Sequence, residues 1–231
     1  ASPELFQNVV ERTYMRLFRY FTALTVRGAD SAISISNFLK EELKKETGVN
    51  GEVEYCTVDE RFYRKYSPQN IQDKYQLTFP TLLYVGRISP HKGVHLLISA
   101  FKIVRQQFPD AKLLIVGKHT FNEYSQELQH LRSNDKNIIF TGFVPDEELP
   151  SYFAACDVYT TATLWEGFNL PAAEAQAMNK PVVAFNIGSH PEVIKYGILV
   201  EPNNIGKFSQ AIITFLKERK KSKKVKSAAQ E

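Results

Sequence analysis

The feature that most constrains this chain is a regular alternation from Thr81 onward. Short apolar runs rich in β-branched residues are separated by amphipathic stretches, and each pair takes roughly 25 to 30 residues, the length of a βα unit. The runs predict strands at Thr81 to Val85, Lys112 to Val116, Asn137 to Phe140, Asp157 to Thr161, Pro181 to Phe185 and Ile198 to Val200. Between the first two, Leu97, Ile98, Phe101, Val104 and Arg105 follow helical spacing until Pro109 closes the run. Near-continuous apolar strands joined by helical crossovers imply a parallel sheet covered on both faces, so this part reads as a doubly wound, Rossmann-like α/β domain.

The rest of the chain follows other patterns. A long amphipathic segment from Pro3 to about Arg27 leads through Ile33-Ser34-Ile35 to a second helix at Asn37 to about Thr47, with Ser36 or Asn37 as N-cap and Gly48 as its stop. Two helices and one or two strands cannot close a sheet, so residues 1–60 read as an incomplete N-terminal α/β segment. Residues 61–79 read as a linker holding a short helix near Asn70 to Tyr75, residues 80–216 as the α/β domain, and residues 217–231 as a basic tail. That tail carries seven of the 29 Lys and Arg but two of the 25 Asp and Glu; without it 22 cations face 23 carboxylates, a net −1 where the whole chain has +4. The body therefore offers no general nucleic-acid footprint. Its 28 aromatic residues, 16 Phe, 11 Tyr and 1 Trp, exclude global disorder. Cys56 and Cys156 stand in neither a disulfide framework nor a metal spacing, which fits a reducing compartment. With no secretion signal and no apolar run of spanning length, the expected location is cytoplasmic, with the inner face of the membrane as an alternative.

In an open α/β sheet the ligand lies beyond the carboxyl ends of the strands, so the loops there carry the function. After Val85 comes Gly86-Arg87-Ile88-Ser89-Pro90-His91-Lys92-Gly93: a tight exit, two cations and a helix start, a set that suits a diphosphate. After Thr161 comes Trp165-Glu166-Gly167-Phe168-Asn169-Leu170-Pro171, followed by Glu174 one turn inside a helix. Backbone N–H groups of Gly167 through Leu170 can meet phosphate or sugar oxygens, while the two carboxylates accept from hydroxyls. The plainer alternatives are solvated cations, a helix-dipole role for Glu174 and a simple cap at Asn169. After the third strand, Gly142-Phe143-Val144-Pro145-Asp146 offers backbone on which a flat base could lie, with Asp146 as the expected cap of the next helix.

Taken together, Gly86-Arg87-x4-Lys92-Gly93, Gly142-Phe143-Val144, Glu166-x7-Glu174 and Lys180-Pro181-Val182-Val183-Ala184 through Gly188-Ser189-His190-Pro191-Glu192 resemble the donor-binding domain of family 4 retaining glycosyltransferases of GT-B fold. The resemblance runs over roughly residues 28–216. It implies that Arg87 and Lys92 bind the donor diphosphate, that Glu166 contacts the donor sugar and Glu174 the ribose, that backbone near Phe143 and Val144 meets the base, and that Phe168 to Leu170 meet the sugar-phosphate. It implies a hexosyltransferase acting with retention on a UDP- or GDP-linked sugar, with Arg87, Lys92 and Glu166 as the catalytic set and Gly86, Gly167 and Asn169 completing the donor site. No cofactor or metal is expected, since cations and a helix N-terminus neutralise the leaving diphosphate. The expected partners are the nucleotide-sugar donor and a saccharide or lipid-linked acceptor, not nucleic acid.

Three positions depart from the family pattern: Gly117-Lys118-His119 for Gly-x-Gly, Asn169 where Gly is common, and Cys56-Thr57-Val58-Asp59 for Asn-Gly-Val-Asp. Lys118 and His119 face the expected cleft. Residues 1–60 resemble only the end of an acceptor-side domain, so the isolated chain is expected to be unable to complete transfer unaided. A non-catalytic nucleotide-sugar-binding module needing a separate acceptor domain is the alternative, and an epimerase of the same fold a third reading. His91 and His95 are four apart, but Lys92-Gly93 between them marks a helix start, which disfavours a zinc pair. The first helix mixes Arg12, Arg16, Arg19 and Arg27 with Tyr14, Leu17, Phe18, Tyr20 and Phe21, a face that suits a missing covering domain or an anionic membrane surface.

Overall fold

In the computed structural model, residues 9–228 are described; the expected helix start at Pro3 and the last three residues of the basic tail lie outside them. The chain divides into two compact units, residues 1–56 and 57–231. In the first, α1 (Val9–Arg27) and α2 (Asn37–Thr47) accompany β1 (Ile33–Ser34) and β2 (Glu52–Val53). The strands pair in parallel, with Ile33 opposite Glu52. Ser36 caps α2 by accepting from the Leu39 N–H at 3.1 Å, and Gly48 ends it in the left-handed region at φ 78°. Arg27 Nε donates to the Thr47 carbonyl at 2.8 Å and Arg19 pairs with Glu46, which ties α1 to α2. Tyr14, Leu17, Phe18, Tyr20, Phe21 and Leu24 of α1 are exposed.

The second unit is built on six parallel strands: β3 (Thr81–Val85), β4 (Lys112–Val116), β5 (Ile138–Gly142), β6 (Val158–Thr161), β7 (Val182–Phe185) and β8 (Gly197–Val200), in spatial order β5-β4-β3-β6-β7-β8. The helices are α3 (Gln69–Tyr75), α4 (Val94–Gln107), α5 (Asn122–Arg132), α6 (Leu149–Ala155), α7 (Leu170–Ala177), α8 (His190–Val193) and α9 (Ile205–Ala228). Alternation along the strands feeds two cores. Leu82, Tyr84, Leu113, Ile115, Val183 and Phe185 pack with Leu97, Ile98 and Phe101 of α4 and Phe208 and Ile212 of α9. Leu83, Leu114, Tyr159, Val182 and Ala184 face Tyr152 and Phe153 of α6 and Ala172 of α7 on the other side. Every strand is therefore apolar on both faces, as a doubly wound sheet requires.

Two segments differ from expectation. The residues read as a linker supply Phe62, Ile71 and Leu77 to the second core, and Phe62 meets the Phe153 ring edge-on. These three apolar side chains, nine and six apart, fit neither a helical nor a strand period, so the segment's periodicity does not mark them as core. The basic tail continues α9, and Arg219 within it pairs with the buried Asp157 carboxylate at 2.9 Å.

The strand order reverses between β3 and β6. The chain winds from β3 outward through β4 and β5, then returns to the other side of β3 for β6, β7 and β8. Crossovers diverge from this pair, leaving a crevice at its carboxyl end.

Candidate active site

The loops after β3 and β6 meet in that crevice around a cavity of about 160 Å³, lined by Gly86, Arg87, Lys92, Glu166, Asn169, Leu170 and the floor tyrosines Tyr84 and Tyr159 among others. Six residues expected in the donor site thus come together. The first loop exits β3 at Gly86, where the Tyr84 hydroxyl donates to the Arg87 carbonyl at 2.9 Å and fixes its course. A 3-10 turn at Pro90–Lys92 then brings Lys92 back over the crevice, and Gly93 turns the chain into α4 at φ 65°. A Cβ at Gly93 would lie 1.9 Å from the Ala162 carbonyl oxygen, so the close approach of the two loops requires glycine.

Across the crevice, Lys92 Nζ donates to Glu166 Oε2 at 2.6 Å. Arg87 is exposed beside this pair. Asn169 ends the second loop in the left-handed region at φ 72°, and its Oδ1 accepts from the Ala172 N–H at 3.3 Å to cap α7. Pro171 takes the first turn, where its missing N–H costs nothing. The N-terminus of α7, with Leu170 and Pro171, therefore borders the cavity. The crevice thus holds two cations, a carboxylate and a helix N-terminus, a set able to neutralise an anion while accepting from hydroxyls.

Other expected residues stand back from the cavity. Gly167 and Phe168 are buried in the second loop, behind Glu166 and Asn169. Glu174 is buried on α7, and burial, with Asp146 adding to it, pushes its carboxyl from the ordinary 4.5 up to about 7. Phe143 is exposed and Val144 buried in the turn after β5. Asp146 does not cap a helix. The Glu148 N–H bonds to the Pro145 carbonyl in an intervening turn and α6 starts only at Leu149, with Pro150 in its first turn. The N-terminus of α4 is also not offered to the crevice as expected, because the Tyr124 hydroxyl accepts from the His95 N–H at 3.1 Å. The imidazoles of His91 and His95 hydrogen-bond Ser89 and Tyr124 separately. His119 bonds Ser125 at 2.7 Å and leans on the Phe140 ring.

The site has supports that loop reading missed. Tyr84 was visible as part of a strand but not as a clamp. Ser189 N–H bonds to the Glu166 carbonyl at 3.2 Å, and His190 Nε2 lies 2.8 Å from Asn169 Nδ2. The Gly188-Ser189-His190 run was the one signal in sequence that could have located both.

The chain has relatives among known proteins. The chain is 30% identical over 155 residues to O-antigen chain mannosyltransferase B of Escherichia coli, covering 64% of this chain and 40% of that one. It is 26% identical over 219 residues to the GDP-mannose-dependent alpha-(1-6)-phosphatidylinositol monomannoside mannosyltransferase of Mycobacterium tuberculosis, covering 88% and 57%. The chain thus spans about half the length of these relatives or less. Among solved structures, HepE of Anabaena in complex with UDP-glucose superposes with a TM-score of 0.81 at 24% identity, over 95% of this chain and 61% of that one, and shares its GT-B fold. The profile of the family described as "Glycosyl transferases group 1" matches residues 69–231, and the chain belongs to that family.

Proposed function

We propose that this chain carries the donor site of a retaining hexosyltransferase that uses a nucleoside diphosphate sugar. The observation that carries the reading is the Lys92–Glu166 pair at the point where the strand order reverses, with Arg87 beside it and the α7 N-terminus behind. A diphosphate placed there would meet Arg87, Lys92 and the Leu170 N–H at the start of α7. The sugar would then lie toward Glu166, whose carboxylate accepts from its hydroxyls, and the ribose toward Glu174. HepE, crystallised with UDP-glucose, and the GDP-mannose-dependent mycobacterial relative support a nucleotide-sugar donor.

In the reaction, the acceptor hydroxyl oxygen forms a bond to the anomeric carbon while the bond from that carbon to the diphosphate oxygen breaks. The electron pair leaves with the diphosphate, and the acceptor proton passes to the departing phosphate oxygen on the same face, which gives retention. Arg87 and Lys92 would stabilise charge that grows as this bond breaks, an effect larger in the transition state than in the ground state. The same neutralisation makes a metal unnecessary.

Calorimetric titration with UDP and with GDP tests the site, comparing wild type with Arg87→Ala and Glu174→Ala. Wild-type binding weakened in both variants is expected. No binding of either nucleotide, or unchanged affinity in both variants, would overturn the assignment.

A further inference from the structure

His190 is wholly buried at the start of α8, does not line the crevice and has no part in the chemistry above. Its hydrogen bonds nonetheless specify the state of the ring. Nδ1 lies 2.6 Å from the Phe185 carbonyl oxygen, which only accepts, so Nδ1 carries the proton. In the neutral ring Nε2 is then an acceptor, and the group 2.8 Å from it is the Asn169 amide nitrogen. Burial, which disfavours the imidazolium, holds the ring in that neutral form.

Asn169 is consequently fixed at both ends of its amide. Nδ2 donates to His190, and Oδ1 accepts from the Ala172 N–H. A flipped amide would place its oxygen against the Nε2 lone pair and an N–H against the Ala172 N–H, losing both bonds. The backbone of Asn169 is left-handed, a conformation that asparagine adopts less readily than glycine and that these two bonds hold in place. The residues just before His190 hold the other end of the same loop. Ser189 N–H bonds to the Glu166 carbonyl, and Gly188, at φ 52°, lets the chains approach so closely that a Cβ would lie 2.2 Å from that oxygen.

We propose that His190 is a positioning residue for the donor site: by accepting from Asn169 it locks the left-handed turn that sets the α7 N-terminus against the crevice, while Gly188 and Ser189 grip the loop at Glu166. The inference rests on the donor-site reading. It explains how this chain carries asparagine at a position where glycine is common in the pattern it resembles. Glycine takes the turn without support, whereas asparagine here is held by a partner 21 residues away.

The test is a set of substitutions read by calorimetry with UDP and GDP. His190→Leu keeps the bulk and removes the acceptor. It should weaken nucleotide binding by about tenfold, the reach of one buried polar group left unsatisfied. Asn169→Gly removes the amide that would be stranded, so Asn169→Gly/His190→Leu should bind within about threefold of Asn169→Gly alone. His190→Gln, whose Oε1 falls near the position of Nε2, should restore binding. Equal binding by wild type and His190→Leu would overturn the proposal, as would a double variant no tighter than His190→Leu, since a packing role is not rescued at position 169. If His190→Leu does not fold, the tenfold loss and its rescue are read with His190→Asn, which is too short to reach Asn169. The ¹⁵N signals of His190 in the nucleotide-free wild type give an independent reading: a protonated Nδ1 and bare Nε2 are expected, and the reverse tautomer would overturn the proposal. Failure of wild type to bind either nucleotide would instead overturn the donor-site reading, while leaving the tautomer measurable.

Discussion

Lys92 Nζ stands 2.6 Å from Glu166 Oε2 although 74 residues separate them, and their side chains are only 18% and 14% exposed. Each charge offsets the other in the free site. A diphosphate competes with Glu166 for Lys92, whereas a complete donor also brings hydroxyls for Glu166. Lys92→Ala should therefore weaken UDP or GDP binding by about ten- to a hundredfold, the range of a hydrogen bond between charged groups. Glu166→Gln should have the opposite sign for the bare nucleotide, tightening it by about two- to fivefold as Lys92 is released from the pair. Titration calorimetry checks both; equal weakening by the two substitutions would sink the competition.

A second prediction concerns Glu174, whose carboxyl is raised from the ordinary 4.5 to about 7, first by burial and then by Asp146. The native state holds this proton more tightly than the unfolded chain. The associated stability is thus fully present below about pH 4.5 and lost as pH rises through about 7, amounting to up to about 3 kcal/mol. Ribose hydroxyls donating to the carboxylate favour the ionised form, so nucleotide affinity should rise with pH up to about 7 and level off above it. Below that pH, binding should release a proton, seen as a dependence of the calorimetric enthalpy on buffer ionisation. Glu174→Gln should reduce both pH dependences to what the nucleotide's own terminal phosphate, which titrates at about pH 6, supplies, and undiminished dependences in the variant would assign them to another group.

How much of this was legible in sequence depends on range. Thr81 to Val85 and Lys112 to Val116 announce themselves as buried strands because both faces are apolar, and the strands fall at those bounds. Arg87, Lys92, Glu166 and Asn169 could be found because the loops at the carboxyl ends of strands are where a doubly wound sheet places ligands. The contacts that shape those loops could not. The Tyr124 hydroxyl on the His95 N–H spans 29 residues, and the bond from the Thr163 hydroxyl to the His91 carbonyl spans 72; neither follows from periodicity or local turn chemistry. The α4 N-terminus looked free for an anion for this reason, since its partner comes from the next helix.

A third prediction lies at the opposite end of the sheet. Asp157, just before β6, accepts from the Thr81 N–H at the start of β3 through Oδ2 at 2.9 Å, and its Oδ1 pairs with Arg219 of α9. One buried carboxylate thus joins two central strands and the last helix. Asp157→Ala should destabilise the unit by about 2 kcal/mol, mostly by stranding the Thr81 N–H. Arg219→Ala should cost less, since Arg219 is 33% exposed and water can replace it. Urea unfolding of both variants and of the double variant checks this: the double should lose little more than Asp157→Ala alone, and simple additivity would show that the pair does not couple.

The last prediction separates two costs at glycines with similar backbone angles. Gly93 and Gly142 lie at φ 65° and φ 75°, so alanine at either position meets the left-handed penalty of about 1 kcal/mol. A Cβ at Gly142 would meet nothing within 4 Å, while one at Gly93 would lie 1.9 Å from the Ala162 carbonyl oxygen. That oxygen is backbone at the exit of β6 and cannot rotate away, so the two loops lining the crevice would have to part. Gly93→Ala should then destabilise by about 2–4 kcal/mol against about 1 kcal/mol for Gly142→Ala. Moving the loops apart also lengthens the Lys92–Glu166 approach, so Gly93→Ala should lose nucleotide binding even at temperatures where it stays folded. Denaturant unfolding and calorimetry on the two variants measure each effect, and equal destabilisation by the pair would show that the loops tolerate separation at position 93.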